Sequence, residues 1–147
     1  MADTSRIKKV IEPYIRSWLS AIFPSHTFRE QPVMLTTGHS YNFDAVSEDG
    51  SIVAAILCNR AKTRTGRENT GGVRKALAEL AYLKQTTSVA QRVMVFTDPE
   101  FGELIRRRAN RAGTENVRII VCALPTNMES LLCEILNEAS YEQHAAE

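Results

Sequence analysis

Hydrophobic residues recur at three- and four-residue steps near the start of the chain, a spacing that predicts an amphipathic helix. The apolar stripe covers residues 7–22, and Pro24 ends it. Because Pro13 interrupts the stripe, we expect either a kink or a second helix that begins after Glu12. A first strand is predicted next, over the segment PVMLTT at residues 32–37.

Two strand-like runs follow, and the segment Asp49-Gly50 between them is typical of a two-residue hairpin turn with positive φ at both positions. Such a turn places Val46 opposite Val53 and Asp44 opposite Ala55. Side chains alternate along a strand, and directly opposed residues point to the same side. Four side chains are therefore predicted to share one face of the hairpin: Asn42, Asp44, Ala55 and Leu57.

The remainder of the chain alternates between helical and strand patterns. In order, it predicts a helix from Glu68 or Thr70 to Gln85, a strand over 92–97, a helix from Asp98-Pro99 that ends before Gly113, a strand over 117–124 and a helix from Thr126. Both of these strands are almost wholly apolar, which is typical of strands that are covered on both faces. Both are therefore predicted to be buried strands.

The predicted element order is α-β-β-β-α-β-α-β-α, which indicates an α/β fold. An antiparallel three-strand meander comes first, and parallel crossover strands follow, so the central sheet is mixed and has helices on both faces. The 147 residues suffice for one domain with a substantial core, and no linker rich in Pro, Gly or Ser divides them. We expect a single domain over residues 1–147 with a flexible tail from about residue 140.

Charge is distributed unevenly, although the net charge is only +1. From Arg60 to Lys75, Glu68 is the single acid among six cations: Arg60, Lys62, Arg64, Arg67, Arg74 and Lys75. Guanidinium groups and backbone amides suit phosphate groups, so these six residues are the candidate nucleic-acid contacts. A solvated loop without a ligand is the alternative. The basic segment 106–111 is explained by its place near a helix C-terminus, and it is a candidate extension of the same basic face.

Several patterns bear on location and on metal binding. No apolar run approaches the roughly 18 residues that cross a bilayer, and the N-terminal sequence lacks the apolar core of a secretory signal. His26 and His39 are isolated in the sequence from other metal ligands. The three cysteines (Cys58, Cys122 and Cys133) lie in separate apolar runs, as reduced core residues do. We therefore expect a cytoplasmic protein without membrane contact.

The element order and the segment FDAVSEDGSIVAAI, residues 43–56, resemble the PD-(D/E)XK superfamily, the restriction-endonuclease-like fold. The resemblance covers roughly residues 7–124. It implies that Asp44 matches the first metal-binding acid of the family's motif. Ala55 and Leu57 stand where the family has its second acid and its lysine, and neither side chain can bind a metal or activate water.

The resemblance thus implies a degenerate nuclease fold that lacks cofactors and acts in binding DNA or RNA or as an accessory module. A first alternative is a Mg²⁺-dependent nuclease in which the missing groups have moved, so that Asp44 shares the metal with Glu68 or Glu79. Other candidates for the moved acid or cation are Glu12, Lys62, Lys75 and Lys84. A second alternative is a module for protein interaction or homo-oligomerisation without nucleic-acid binding. The replaced motif favours a protein that is not an enzyme.

Overall fold

The computed structural model describes residues 5–111 and 116–146, with side chains in the last helix as far as Glu138. One five-stranded sheet has its strands in chain order: β1 (Phe28–Met34), β2 (Ser40–Ser47), β3 (Ile52–Leu57), β4 (Gln91–Phe96) and β5 (Val117–Val121). Strands β1 to β3 are antiparallel neighbours, whereas β4 and β5 run parallel to β3. The predicted α/β fold with a mixed sheet is confirmed.

Four α-helices accompany the sheet: α1 (Glu12–Ile22), α2 (Thr70–Lys84), α3 (Pro99–Arg111) and α4 (Thr126–Ala146). A π-helical turn, Ile7–Ile11, leads into α1, and the change of helix type comes just before Pro13, whose nitrogen has no hydrogen to donate. The tail predicted to be flexible is helical as far as Ala146. Glu147 and Gly113 lie outside the described residues.

The first strand begins at Phe28 and ends at Met34, whereas the sequence pattern predicted residues 32–37. Pairing with β2 explains the difference, because Phe28 already has Ser47 as its partner. Leu35 leaves this ladder and bridges instead to Thr86.

Two hydrophobic layers cover the sheet. Buried side chains of α2 and α3 pack on one face, and those of α1 and α4 pack on the other. Strand β3 is buried along its whole length, which fits its almost wholly apolar sequence. Each large apolar side chain buried in these layers contributes about 1.5–3 kcal/mol to folding. No helix among the described residues is both long and apolar enough to cross a membrane.

The β2–β3 hairpin has the predicted register, since Val46 pairs with Val53. Its turn differs from the prediction, because Gly50 adopts a positive φ of 74° whereas Asp49 does not. The Gly50 amide donates to the Ser47 carbonyl at 2.9 Å. Asp49 accepts hydrogen bonds from its serine neighbours, which hold the turn without a left-handed aspartate.

Strand β2 bulges at residues 44–45. Arg29 pairs with Val46 and Gln31 pairs with Phe43, so one residue of β1 faces two residues of β2. As a result Phe43 and Val46 lie in the same hydrophobic layer although they are three positions apart. An extra residue of this kind reverses the alternation of side chains beyond it.

Candidate functional site

The bulge decides where Asp44 points. Its Oδ2 atom accepts a hydrogen bond from the Ile56 amide at 2.9 Å, just beyond the last β2–β3 pair. Phe43 instead packs in the layer that contains Ala55 and Leu57, both of which are fully buried. The predicted shared face is therefore wrong. The Asp44 carboxylate accepts from the backbone of β3, and Ala55 and Leu57 lie in the core.

Four acids from different elements surround this position, and we call them the carboxylate cluster: Glu12, Glu30, Asp44 and Glu79. Burial is the largest influence on Glu12, Asp44 and Glu79, and it raises the pKa of each. The charge of Asp44 raises the pKa of Glu12 and Glu79 further. Lys75 opposes the shift at Asp44 and Glu79.

The cluster's acids are held by donors of the chain itself. An Arg16 Nη2 atom lies 3.2 Å from Glu12 and 3.6 Å from Glu30. The Nε of Arg16 also donates to the Asp44 carbonyl at 2.8 Å. Glu79 accepts from the hydroxyl of Tyr41. These contacts tie α1, β1, β2 and α2 together at one end of the sheet.

The residues considered for a migrated nuclease site lie in two different places in the structure. Lys75 and Glu79 interact electrostatically with Asp44. Glu68 does not join them, because its Oε1 atom lies 2.6 Å from Nη2 of Arg108. Lys62 pairs with Glu100 at 3.5 Å on that same side.

A divalent metal fits the carboxylate cluster poorly. Mg²⁺ requires a near-octahedral set of oxygen ligands. In the described part of the chain, the only three potential ligands that lie within 4.8 Å of one another belong to His26, Glu48 and Asp49. The carboxylate of Asp44 is also directed to the Ile56 amide. The cluster therefore ranges from the buried Glu12 to the exposed Glu30 and does not present a compact ligand set.

His26 is isolated from other metal ligands in the sequence but has two acidic neighbours in the fold. Its Nδ1 atom lies 3.2 Å from Glu48 Oε1 and 3.8 Å from Asp49 Oδ1. Glu48 also accepts from the Thr27 amide at 2.7 Å. Hydrogen bonds, those from Ser51 foremost, lower the pKa of Asp49 to about 2. We interpret this group as a structural contact between the loop before β1 and the hairpin turn.

Asp44→Asn is expected to raise the free energy of unfolding at neutral pH, because it removes a buried charge and keeps an oxygen that accepts from Ile56. The folded-state pKa of Asp44 lies above its ordinary value of 3.8, so its charged form costs stability above the folded pKa. That cost disappears below the ordinary value, where both states are protonated. Urea unfolding across this pH range should therefore show a gain that shrinks as the pH falls.

Asp49→Asn is the matched control on the same hairpin. Its pKa is lowered by hydrogen bonding, so its charged form stabilises the fold above the ordinary pKa of 3.8. This variant should lose stability at neutral pH. A neutral-pH loss for Asp44→Asn as well would contradict the assignment of Asp44 as a buried, destabilising charge.

The cationic loop, residues 58–69, is a small ordered hairpin. Lys62 and Glu68 form a backbone bridge, and the Thr63 amide donates to the Arg67 carbonyl at 2.7 Å. Gly66 turns the chain with a positive φ of 85°, which is accessible to glycine without strain. The expected solvated loop therefore has a defined shape.

Two side chains fasten this loop to the helices. The Asp98 carboxylate accepts from the Ala61 amide at 3.0 Å and from the Glu100 amide at 3.2 Å, so it holds the loop at the start of α3. Asn69 caps α2 by accepting from the Gly72 amide at 3.0 Å, and its Nδ2 donates to the Arg60 carbonyl. Asp98 and Asn69 thus position the loop beside α3.

The loop and α3 enclose a surface that we call the basic groove. It consists of two adjoining hollows of about 210 and 200 Å³, and both are lined by Leu104 and Arg107. Four cations line the groove: Lys62, Arg107, Arg108 and Arg111. Two acids, Glu68 and Glu100, lie at the hollow on the loop side. The groove therefore has an excess of positive charge.

The six predicted contact residues do not form one surface. Lys62 lines the groove, and Arg64 and Arg67 are exposed on the loop beside it. Arg60 instead lies 3.5 Å from Glu129 of α4. Arg74 is exposed on α2, and the charge of Lys75 interacts with Asp44 of the carboxylate cluster.

Sequence reasoning treated Arg107, Arg108 and Arg111 only as a candidate extension of the basic face. The segment RRRANR was visible, but its position near a helix C-terminus already gave it a structural explanation. The missing information was tertiary: Asp98 brings the cationic loop against the same helix.

No family model matches the chain, and comparison with curated proteins and with solved structures returned no match.

Proposed function

We propose that the protein is a cytoplasmic, catalytically inactive member of the restriction-endonuclease-like fold that binds nucleic acid through the basic groove. One observation supports this proposal above the others. The loop and α3, which are far apart in sequence, bring four cations and two acids to two adjoining hollows. A phosphate backbone is the ligand chemistry that best matches such a surface.

The side chains of the groove suit phosphate recognition. Arginine offers paired donors that match phosphate oxygens, and Arg107 and Arg111 are one helical turn apart on the exposed side of α3. Their fixed helical spacing reduces the ordering cost of binding. The hairpin form of the loop likewise fixes Lys62 before a ligand arrives.

The carboxylate cluster supports binding without cleavage. Leu57 is fully buried at the place of the family's lysine, and Ala55 is fully buried at the place of its second acid. Asp44 and Glu79 are already bonded to donors of the chain. Metal-assisted cleavage needs a cation that stabilises developing charge, and these residues do not supply a fitting ligand set.

The wild-type protein is expected to bind short labelled duplexes of DNA or RNA in low-salt buffer, as measured by fluorescence anisotropy. If each of the four groove cations contacts one phosphate, the logarithm of affinity should fall with the logarithm of salt concentration with a slope of about −3 to −4. Absence of binding to duplex and single-stranded forms at low salt would overturn the proposal. A defined homo-oligomer without nucleic-acid affinity would then favour an interaction module.

The same mixtures, incubated with Mg²⁺ or Mn²⁺, distinguish binding from catalysis. We expect the nucleic acid to stay intact. Cleavage that is lost in Glu79→Gln would instead establish the nuclease with a migrated acid.

A further inference from the structure

Glu68 is the only acid among the cations of the segment 60–75, and it lies in the basic groove. Its Oε1 atom is 2.6 Å from Nη2 of Arg108, a short contact between a carboxylate and a guanidinium. Both side chains are partly exposed, at 42% and 39% respectively. The pair therefore faces solvent at the place where a ligand would enter.

The ion pair between Glu68 and Arg108 is expected to contribute little to the stability of the fold. Exposed pairs contribute only about 0–1 kcal/mol to folding. The start of α2 is capped by Asn69, and the loop is held by Asp98. Glu68 is therefore not needed for either structural task.

A carboxylate and a phosphate bind a guanidinium by the same paired hydrogen bonds. A phosphate that binds both terminal nitrogens of Arg108 must therefore displace Glu68 from Nη2. We propose that Glu68 is a built-in competitor that occupies Arg108 and limits the affinity of the groove for nucleic acid. This inference rests on the proposed function, and it adds a residue that sets how strongly the groove binds.

The test compares Glu68→Gln with Glu103→Gln, measured by anisotropy with a short labelled DNA duplex at several salt concentrations. Glu103 is on α3 and pairs with Arg106 at 3.1 Å, and neither residue lines the groove. Each substitution removes one negative charge, so their difference isolates the release of Arg108. Thermal unfolding of both variants verifies that the fold is kept.

Glu68→Gln is expected to bind about two- to fivefold more tightly than Glu103→Gln, the range that corresponds to losing one exposed competing ion pair. Its salt slope should equal that of Glu103→Gln, since the same four groove cations contact phosphate in both variants. In an Arg108→Gln background the gain from Glu68→Gln should fall to that of Glu103→Gln.

Equal gains in Glu68→Gln and Glu103→Gln would overturn the inference, and so would a gain that persists without Arg108. Both results leave the proposed function standing, because the wild type still binds. If the wild type does not bind nucleic acid in low-salt buffer, the proposed function fails first. The wild-type titration therefore separates the two failures.

Discussion

Leu57→Lys is expected to lower the free energy of unfolding by at least about 3 kcal/mol, because it replaces a buried core side chain by a charge. Leu57 is fully buried at the end of β3 and packs in the layer beneath α2. The total stability of a domain is about 5–15 kcal/mol, so the variant should lose a large part of it. Urea unfolding followed by circular dichroism measures the loss.

Leu57→Met is the control, since a swap that nearly conserves volume costs less than about 1.5 kcal/mol. The comparison matters for function because the proposed resemblance to nucleases places the family's lysine at position 57. If Leu57→Lys unfolds within about 1 kcal/mol of the wild type, the new ammonium group reaches solvent. Position 57 would then be accessible to solvent, and its interpretation as a core position would be wrong.

Neutralising the groove is expected to weaken nucleic-acid binding by about a hundredfold or more in low-salt buffer, because each lost phosphate contact removes its share of counterion release. The variant carries three substitutions: Lys62→Gln, Arg107→Gln and Arg111→Gln. All three side chains line the groove and are exposed, so the fold should be retained. Anisotropy titrations with DNA and RNA duplexes measure the change.

A control with the same loss of charge distinguishes the groove from net charge. It carries Arg29→Gln, Lys84→Gln and Arg106→Gln, three positions that do not line the groove. We expect this control to retain most of the wild-type affinity. Equal weakening in both variants would show that binding is diffuse and that the groove is not the site.

Local chemistry explains which parts of the fold could be predicted. The register of the hairpin followed from the position of Gly50, which must turn the chain with positive φ. The bulge at residues 44–45 could not be predicted in the same way. It lies beyond the four pairs, Met34–Ser40 to Gln31–Phe43, that follow the short β1–β2 turn, and no turn residue or apolar pattern marks the extra residue. The direction of Asp44 was therefore out of reach of the sequence pattern.

The candidate site was likewise only partly predictable from the sequence. The cations of the loop were apparent in the sequence, yet its hairpin shape depends on backbone pairing between Lys62 and Glu68. The groove itself requires Asp98 to join the loop to α3. Sequence spacing does not encode such a contact, so Arg107 was explained by the helix dipole and was only a candidate extension of the basic face. The cations of the loop and those of α3 were both apparent in the sequence, but the contact between the loop and α3 was not.

The central claim is that phosphate groups bind the basic groove, and the salt dependence of binding tests it most directly. The slope of log affinity against log salt should be measured for the wild type and for the variant with Lys62, Arg107 and Arg111 replaced by glutamine. The account predicts a slope that is shallower by about 2.7 in the variant, which is the loss of three contacts to duplex DNA. An unchanged slope would contradict it.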